Sequence, residues 1–219
     1  MNEKEVLSVC DHTLLKVDAK WSDIKKVLDD GIKYGVASAC IPPCFVARAK
    51  DYVCDKLKIC TVIGFPNGYN STKSKVFETQ CAITDGADEI DMVINVGAVK
   101  DGDFDYVASE IAQVKEACAG KILKVIIETC LLTDAEKVKL ANIVVEQKAD
   151  YVKTSTGFST YGATFYDVEL LKKTVGKKAK VKASGGITSI ADATRFIELG
   201  ASRLGTSKVV KIIKEKERE

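Results

Sequence analysis

The chain has 219 residues, 46% of them hydrophobic, and a formal net charge of +2, so it can bury a sizeable core and carries no broad basic field for nucleic acid. A single histidine, His12, excludes a zinc centre built on several histidines. No apolar run approaches the ~18 residues of a membrane span, the N-terminal MNEKEVLSVC has no apolar signal segment, and eight scattered cysteines form no CxxC pair, so a cytoplasmic protein with reduced thiols is expected.

Eight β-rich runs alternate with longer helical stretches. VLSVCDH (6–12) comes first and ends in Asp11 and His12. Ile24, Val27, Leu28 and Ile32 then mark one face of a helix. VASACI (36–41) brings Cys40, ICTVIGF (59–65) is apolar, and EIDMVIN (89–95) carries Asp91 and Asn95. Val107, Ile111, Val114 and Cys118 mark a second helix that closes near Gly120. ILKVIIET (122–129) carries Lys124 and ends in Glu128. Thr133 and Glu136 form a capping box, opening a helix with a face at Val138, Ala141 and Val145. DYVKTS (150–155) carries Lys153, and AKVKAS (179–184) carries Lys182. Ser189 and Asp192 start another helix that closes at Gly200, and SRLGTS (202–207) is the last run. The final KIIKEKERE mixes both signs of charge and reads as a solvated helix end.

Helices enter strands through a recurring joint: GVAS (35–38), GADE (86–89), KADY (148–151) and GASR (200–203). Eight βα units in this length predict an α/β fold, a (β/α)₈ TIM barrel, as a single domain over 1–219. The rival, a doubly wound open sheet, wants a GxGxxG turn after the first strand, and none is present.

A barrel places function where each strand ends. Asp11, His12, Cys40, Asp91, Asn95, Lys124, Glu128, Lys153 and Lys182 all fall at or near such ends, where a packed barrel would otherwise be apolar. Lys153 and Lys182 lie on consecutive strands, about 4.8 Å apart if adjacent. Two ammonium groups that close, partly buried, are expected to push at least one pKa down, and a neutral amine can attack a carbonyl to form a Schiff base. The alternative is that both lysines bind phosphate or pair with Asp91 and Glu128. ASGGIT (183–188), LGTS (204–207) and TSTG (154–157) follow the last three strands, where phosphate sites of this architecture are commonly built. These features point to a barrel enzyme acting on a small phosphorylated carbonyl compound.

KTSTGF (153–158), VKASGGI (181–187), EIDMVINVG (89–97), LKVIIET (123–129) and DHTLL (11–15) together closely resemble the deoxyribose-phosphate aldolase family, in the right order over nearly the whole chain. The resemblance implies a metal-independent, cofactor-free lyase. It would cleave 2-deoxy-D-ribose 5-phosphate reversibly to acetaldehyde and D-glyceraldehyde 3-phosphate. It implies Lys153 as the Schiff-base lysine, Lys182 as the lysine that perturbs it, and Asp91 as the proton-relay aspartate. Asp11, Cys40 and Lys124 are implied near the substrate, and Gly157, Gly185, Gly186, Gly205 and Ser207 in the phosphate loops. The partner is a small phosphorylated sugar, with neither nucleic acid nor membrane, and a homo-oligomer is compatible with the family. The chain departs from many members at Ala183 and Ser184. It has Phe158 and Thr188 where some carry a basic residue, which shifts the anion toward backbone N–H groups and Lys208. Its short charged tail has no tyrosine for proton transfer. A transaldolase-type enzyme, an isomerase without covalent chemistry and an inactive phosphate sensor are the competing readings.

Overall fold

A computed structural model describes residues 1–217. The elements run α1 (Glu3–Leu7), β1 (Cys10–Thr13), α2 (Trp21–Tyr34), β2 (Ser38–Ile41), α3 (Val46–Val53), β3 (Ile59–Ile63), α4 (Thr72–Thr84), β4 (Glu89–Val93), α5 (Val96–Lys100), α6 (Phe104–Ala117), β5 (Ile122–Ile126), α7 (Asp134–Glu146), β6 (Tyr151–Lys153), α8 (Phe165–Val175), β7 (Lys180–Ser184), α9 (Ile190–Glu198), β8 (Ala201–Thr206) and α10 (Lys208–Lys216). The eight strands are parallel, each pairs with the next, and β8 pairs with β1 to close a barrel. This is the (β/α)₈ architecture. Among the described residues, no helix is long and apolar enough to cross a membrane.

Side chains alternate along each strand. Outward-facing residues such as Ile90, Met92, Leu123, Val125 and Val181 are fully buried and join the helices in one apolar cluster. At ~25 cal/mol per Å² of apolar area removed from water, this shell is the main stabilising layer. The apolar cluster around Cys40, Cys60 and Val62, with Leu15 and Phe65 against it, is much smaller.

Three local expectations are corrected. The run 6–12 is not one strand: Asn2 and Glu5 form a capping box that starts α1, so Val6 and Leu7 are helical and the strand begins at Cys10. The buried residues of α7 are Lys137, Leu140, Ala141, Ile143 and Val144, with Lys137 reaching Asp167 of α8 at 2.7 Å; Val138 and Val145 are only half-buried. Ile32 is 36% exposed, and Gly31 takes its place on the inner face of α2. The caps at Thr133 and Ser189 form as the spacing predicts.

Candidate active site

Period-two alternation carries charge into the barrel. Glu89 and Asp91 of β4, Lys124 of β5, Lys153 of β6, Lys182 of β7, Arg203 of β8 and Asp11 of β1 are all buried. Register sets who meets whom: Asp91 lies opposite Lys124, Lys153 opposite Lys182, and Lys182 opposite Arg203. An irregularity between Val181 and Lys182 skips Ser202 of β8, which is exposed, so Arg203 and Gly205 stay level with Lys182 and Ser184.

Asp91 is the hub. Its Oδ2 accepts from Lys153 Nζ and Lys182 Nζ, each at 2.7 Å, and its Oδ1 accepts from Lys124 Nζ at 2.8 Å and Cys60 Sγ at 3.2 Å. Asp11 takes Lys182 on one oxygen, and Arg203 at 2.6 Å and Ser38 at 2.7 Å on the other. Glu89 ties Arg203 at 2.8 Å to Lys124 at 2.6 Å. Burial alone would push Asp91 and Asp11 up, but the surrounding lysines outweigh it and hold both carboxyls below the usual range. Burial likewise pushes Lys182 and Lys124 down, and the carboxylates outweigh it, so both end above the ordinary lysine value. The fall expected from two neighbouring ammonium groups does not occur at Lys182. Lys182 does lie beside Lys153, but its own pKa rises because Asp11 and Asp91 surround it. The lysines pair with Asp91 and not with Glu128, whose carboxyl holds Thr156.

A cavity of about 480 Å³ opens above this layer, at the C-terminal ends of β6, β7, β8 and β1. Lys153 lines it, with Gly157, Gly185, Gly186, Gly205 and Ser207; Lys124 and Lys182 do not reach its wall and are completely buried. Asp11 and Cys40 are also completely buried and do not line the cavity, so they and Lys124 belong to the packed interior. Cys40 lies beside Cys60 across the β2–β3 pair, and the neighbouring Cys60 moves its thiol below the ordinary value. Gly185 and Gly186 adopt φ of 74° and 73°, a region that favours glycine. At Gly205 the constraint is space: a Cβ would lie 2.0 Å from Ser184 Oγ and 3.1 Å from Lys182 Cε. Thr188 gives both its N–H and its hydroxyl to Asp192, and Phe158 stacks edge-on against Phe65 at 5.3 Å. Lys16, Lys208 and Lys211 line the same cavity.

Glu89, Arg203, Cys60, Lys16 and Thr156 were not singled out from the sequence. The period-two rule could have found the first two, since Glu89 precedes Asp91 by two and Arg203 precedes Gly205 by two. Among the described residues, the groups with metal-ligand spacing are Cys40–Cys60–Asp91 and Asp11–Cys60–Glu89. Their carboxylate oxygens already meet lysine or arginine.

A family profile described as DeoC/LacD family aldolase matches residues 6–206. Proteins named deoxyribose-phosphate aldolase are 58% identical to this chain in Streptococcus agalactiae, over 100% of this chain and 98% of the relative. In Streptococcus pyogenes the identity is also 58%, over 98% and 96%. A solved structure described as a unique tetrameric deoxyribose phosphate aldolase from Aeropyrum pernix superposes with a TM-score of 0.90 at 31% identity, covering 99% of this chain and 92% of that one.

Proposed function

The chain belongs to the DeoC/LacD family of aldolases, and from that premise we propose that residues 1–219 form one aldolase domain with Lys153 as its nucleophile. The reaction is the reversible cleavage of 2-deoxy-D-ribose 5-phosphate to acetaldehyde and D-glyceraldehyde 3-phosphate through a lysine Schiff base, a lyase activity. One observation carries the choice of Lys153: of the lysines bound to Asp91, it alone lines the cavity.

Lys153, paired with Asp91 at 2.7 Å, passes one proton to a relaying water and attacks C1 of the open-chain sugar; that proton returns to the carbinolamine hydroxyl, which leaves as water and gives an iminium. Acetaldehyde comprises C1 and C2, so the bond that breaks is C2–C3. Its electrons flow into the iminium to give an enamine while the C3 hydroxyl loses its proton, and the C3–C5 fragment leaves as glyceraldehyde 3-phosphate. Protonation of the enamine at C2 and hydrolysis release acetaldehyde and free Lys153. Asp91, held ionised by its cations, suits stabilisation of the iminium and orientation of the relaying water. Lys182, held as a cation, fixes Asp91 and adds positive potential beside Lys153. Asp11, Cys40 and Lys124 shape this layer from beneath the substrate.

The phosphate sits against Gly157, Gly185, Gly186, Gly205 and Ser207, where the positive end of α10 faces the cavity. Lys16, Lys208 and Lys211 supply the charge that Phe158 and Thr188 lack. All eight cysteines are free thiols, which suits a reducing compartment, and we place the enzyme in the cytoplasm. We read a homo-oligomer as its working form, by likeness to the tetrameric relative.

Borohydride reduction in the presence of acetaldehyde, followed by peptide mapping, tests the assignment. An adduct on the peptide bearing Lys153 is expected. An adduct on Lys182 would exchange the two roles, and no adduct on folded protein would overturn the covalent route.

A further inference from the structure

No step of the proposed chemistry uses Glu128. It follows β5, is 4% exposed, and has backbone angles φ 56° and ψ 67°. Residues with a Cβ rarely occupy this left-handed region, and they persist there where surrounding contacts over-determine the backbone. The carboxyl contacts centre on Thr156, with Cys130 Sγ 3.9 Å from Oε1. Thr156 donates its N–H to both carboxyl oxygens of Glu128, at 3.2 and 3.3 Å, and its hydroxyl to Oε2 at 2.5 Å. The Thr156 hydroxyl oxygen accepts the N–H of Phe158 at 3.0 Å, so Gly157 is held between two fixed residues. On either side of Glu128 the backbone is stitched to the same segment: Ile127 N–H donates to the Lys153 carbonyl at 3.1 Å, and Thr129 N–H to that of Thr154 at 2.9 Å.

The turn so fixed is a wall of the cavity. Thr156, Gly157 and Phe158 line it with Lys153. Gly157 also packs against the next glycine loop, since a Cβ on Gly185 would lie 3.6 Å from Gly157 Cα. Glu128 does not reach the cavity; it backs the turn from a separate space of about 140 Å³ that Thr156 and Phe158 also line.

We infer that Glu128 is a positioning residue for the anion end of the substrate site, setting the Thr156–Gly157–Phe158 turn and through it the contact of Gly157 with Gly185. The inference rests on the reading of this cavity as a sugar-phosphate site. Its carboxyl bonds bypass Lys153 and end on the turn beyond it, so its effect should fall on phosphate binding and spare the bond-breaking step. Glutamine keeps an acceptor oxygen for the Thr156 N–H and hydroxyl, whereas alanine keeps none.

The test compares Glu128→Ala and Glu128→Gln with the unaltered enzyme on deoxyribose 5-phosphate and on unphosphorylated deoxyribose, together with calorimetric titration of inorganic phosphate. For Glu128→Ala, KM for the phosphorylated sugar should rise about tenfold or more and phosphate binding should weaken in parallel. Its kcat, and kcat/KM for unphosphorylated deoxyribose, should change less than about threefold. Glu128→Gln should recover most of the loss. If Glu128→Ala does not fold, Thr156→Val, which removes the shared hydroxyl, should give the same split at smaller size. Equal losses on both sugars, an unchanged KM, or a glutamine variant as impaired as alanine would overturn the inference. Phosphate titration needs no turnover, so weaker phosphate binding in the variant would support the inference even if the unaltered protein failed to cleave deoxyribose 5-phosphate. That failure would count against the proposed reaction alone.

Discussion

On the outer face of the sheet, Ile90, Met92, Leu123, Val125 and Val181 are fully buried against the helices. On the inner face of the same strands, Glu89, Asp91, Lys124, Lys153 and Lys182 are buried just as deeply and carry charge. One residue of shift separates a layer that gains free energy by leaving water from a layer that loses hydration and must recover it through ion pairs. The difference shows where stability and chemistry are each invested. The outer layer holds the barrel closed. The inner layer is a network of four cations and three carboxyls in which one member, Lys153, faces the cavity.

The sharpest way to break that division is Lys153→Ala. Turnover should fall by about 10⁴-fold or more, while circular dichroism and melting stay near those of the unaltered protein, since Lys124 and Lys182 still hold Asp91. Retained aldolase activity in a folded variant would refute the scheme. Asp91→Ala should lose both properties, because it leaves three buried cations without their shared partner; a stability loss of about 3–5 kcal/mol is expected in urea unfolding. Ile111→Ala, in the apolar shell, should cost a comparable ~2–5 kcal/mol yet leave kcat and KM unchanged at temperatures where it is folded. If Ile111→Ala altered kcat, packing in the outer layer would control the geometry of the inner one. Gly205→Ala should press on Ser184 and Lys182 and lower kcat/KM by about 10²-fold through misplacement.

Titration separates the layers more gently. Asp11 and Asp91 bind protons less readily folded than unfolded. Their stabilisation is therefore complete above the unfolded value of about 3.9 and is lost as the pH falls below it. For Lys182 and Lys124 the folded value is raised, so their contribution is complete below about 10.4 and fades as the pH rises past it. Melting temperature against pH should show both limbs. The smallest effect belongs to His12, which faces outward from β1. Burial lowers its pKa, although Asp30 lies 3.9 Å away. Stability should decline slightly as the pH falls through about 6.5, and His12→Gln should remove that slope without altering kcat/KM.

Strand periodicity and the polar residues at strand ends made the barrel and the pair Lys153–Lys182 legible in the sequence, because parallel neighbours in register follow from chain order. The side of the ion network built by Glu89 and Arg203 was not legible. Both precede the strand ends, where a charge usually signals the start of a strand, and only the closed ring shows that Arg203 of the last strand meets Asp11 of the first. The residues 6–9 misled for the opposite reason: a short apolar run fits a strand or a helix equally well, and a cap at Asn2 decided it. The direction of the Lys182 shift needed the count of carboxyls around it, which no spacing encodes.

The bonds of Asp11 also impose an order in time. This carboxyl leaves the ribosome before its partners: Lys182 follows 171 positions later and Arg203 192 positions later. Contacts this distant in the chain form slowly, since loop closure must precede any gain from them. A growing polypeptide therefore holds an acidic group whose set of counter-ions, Lys124, Lys182 and Arg203, is complete only when β8 docks. Completion of the charged interior waits for β8, and a chain stopped before Arg203 should bind no sugar phosphate and be open to proteases.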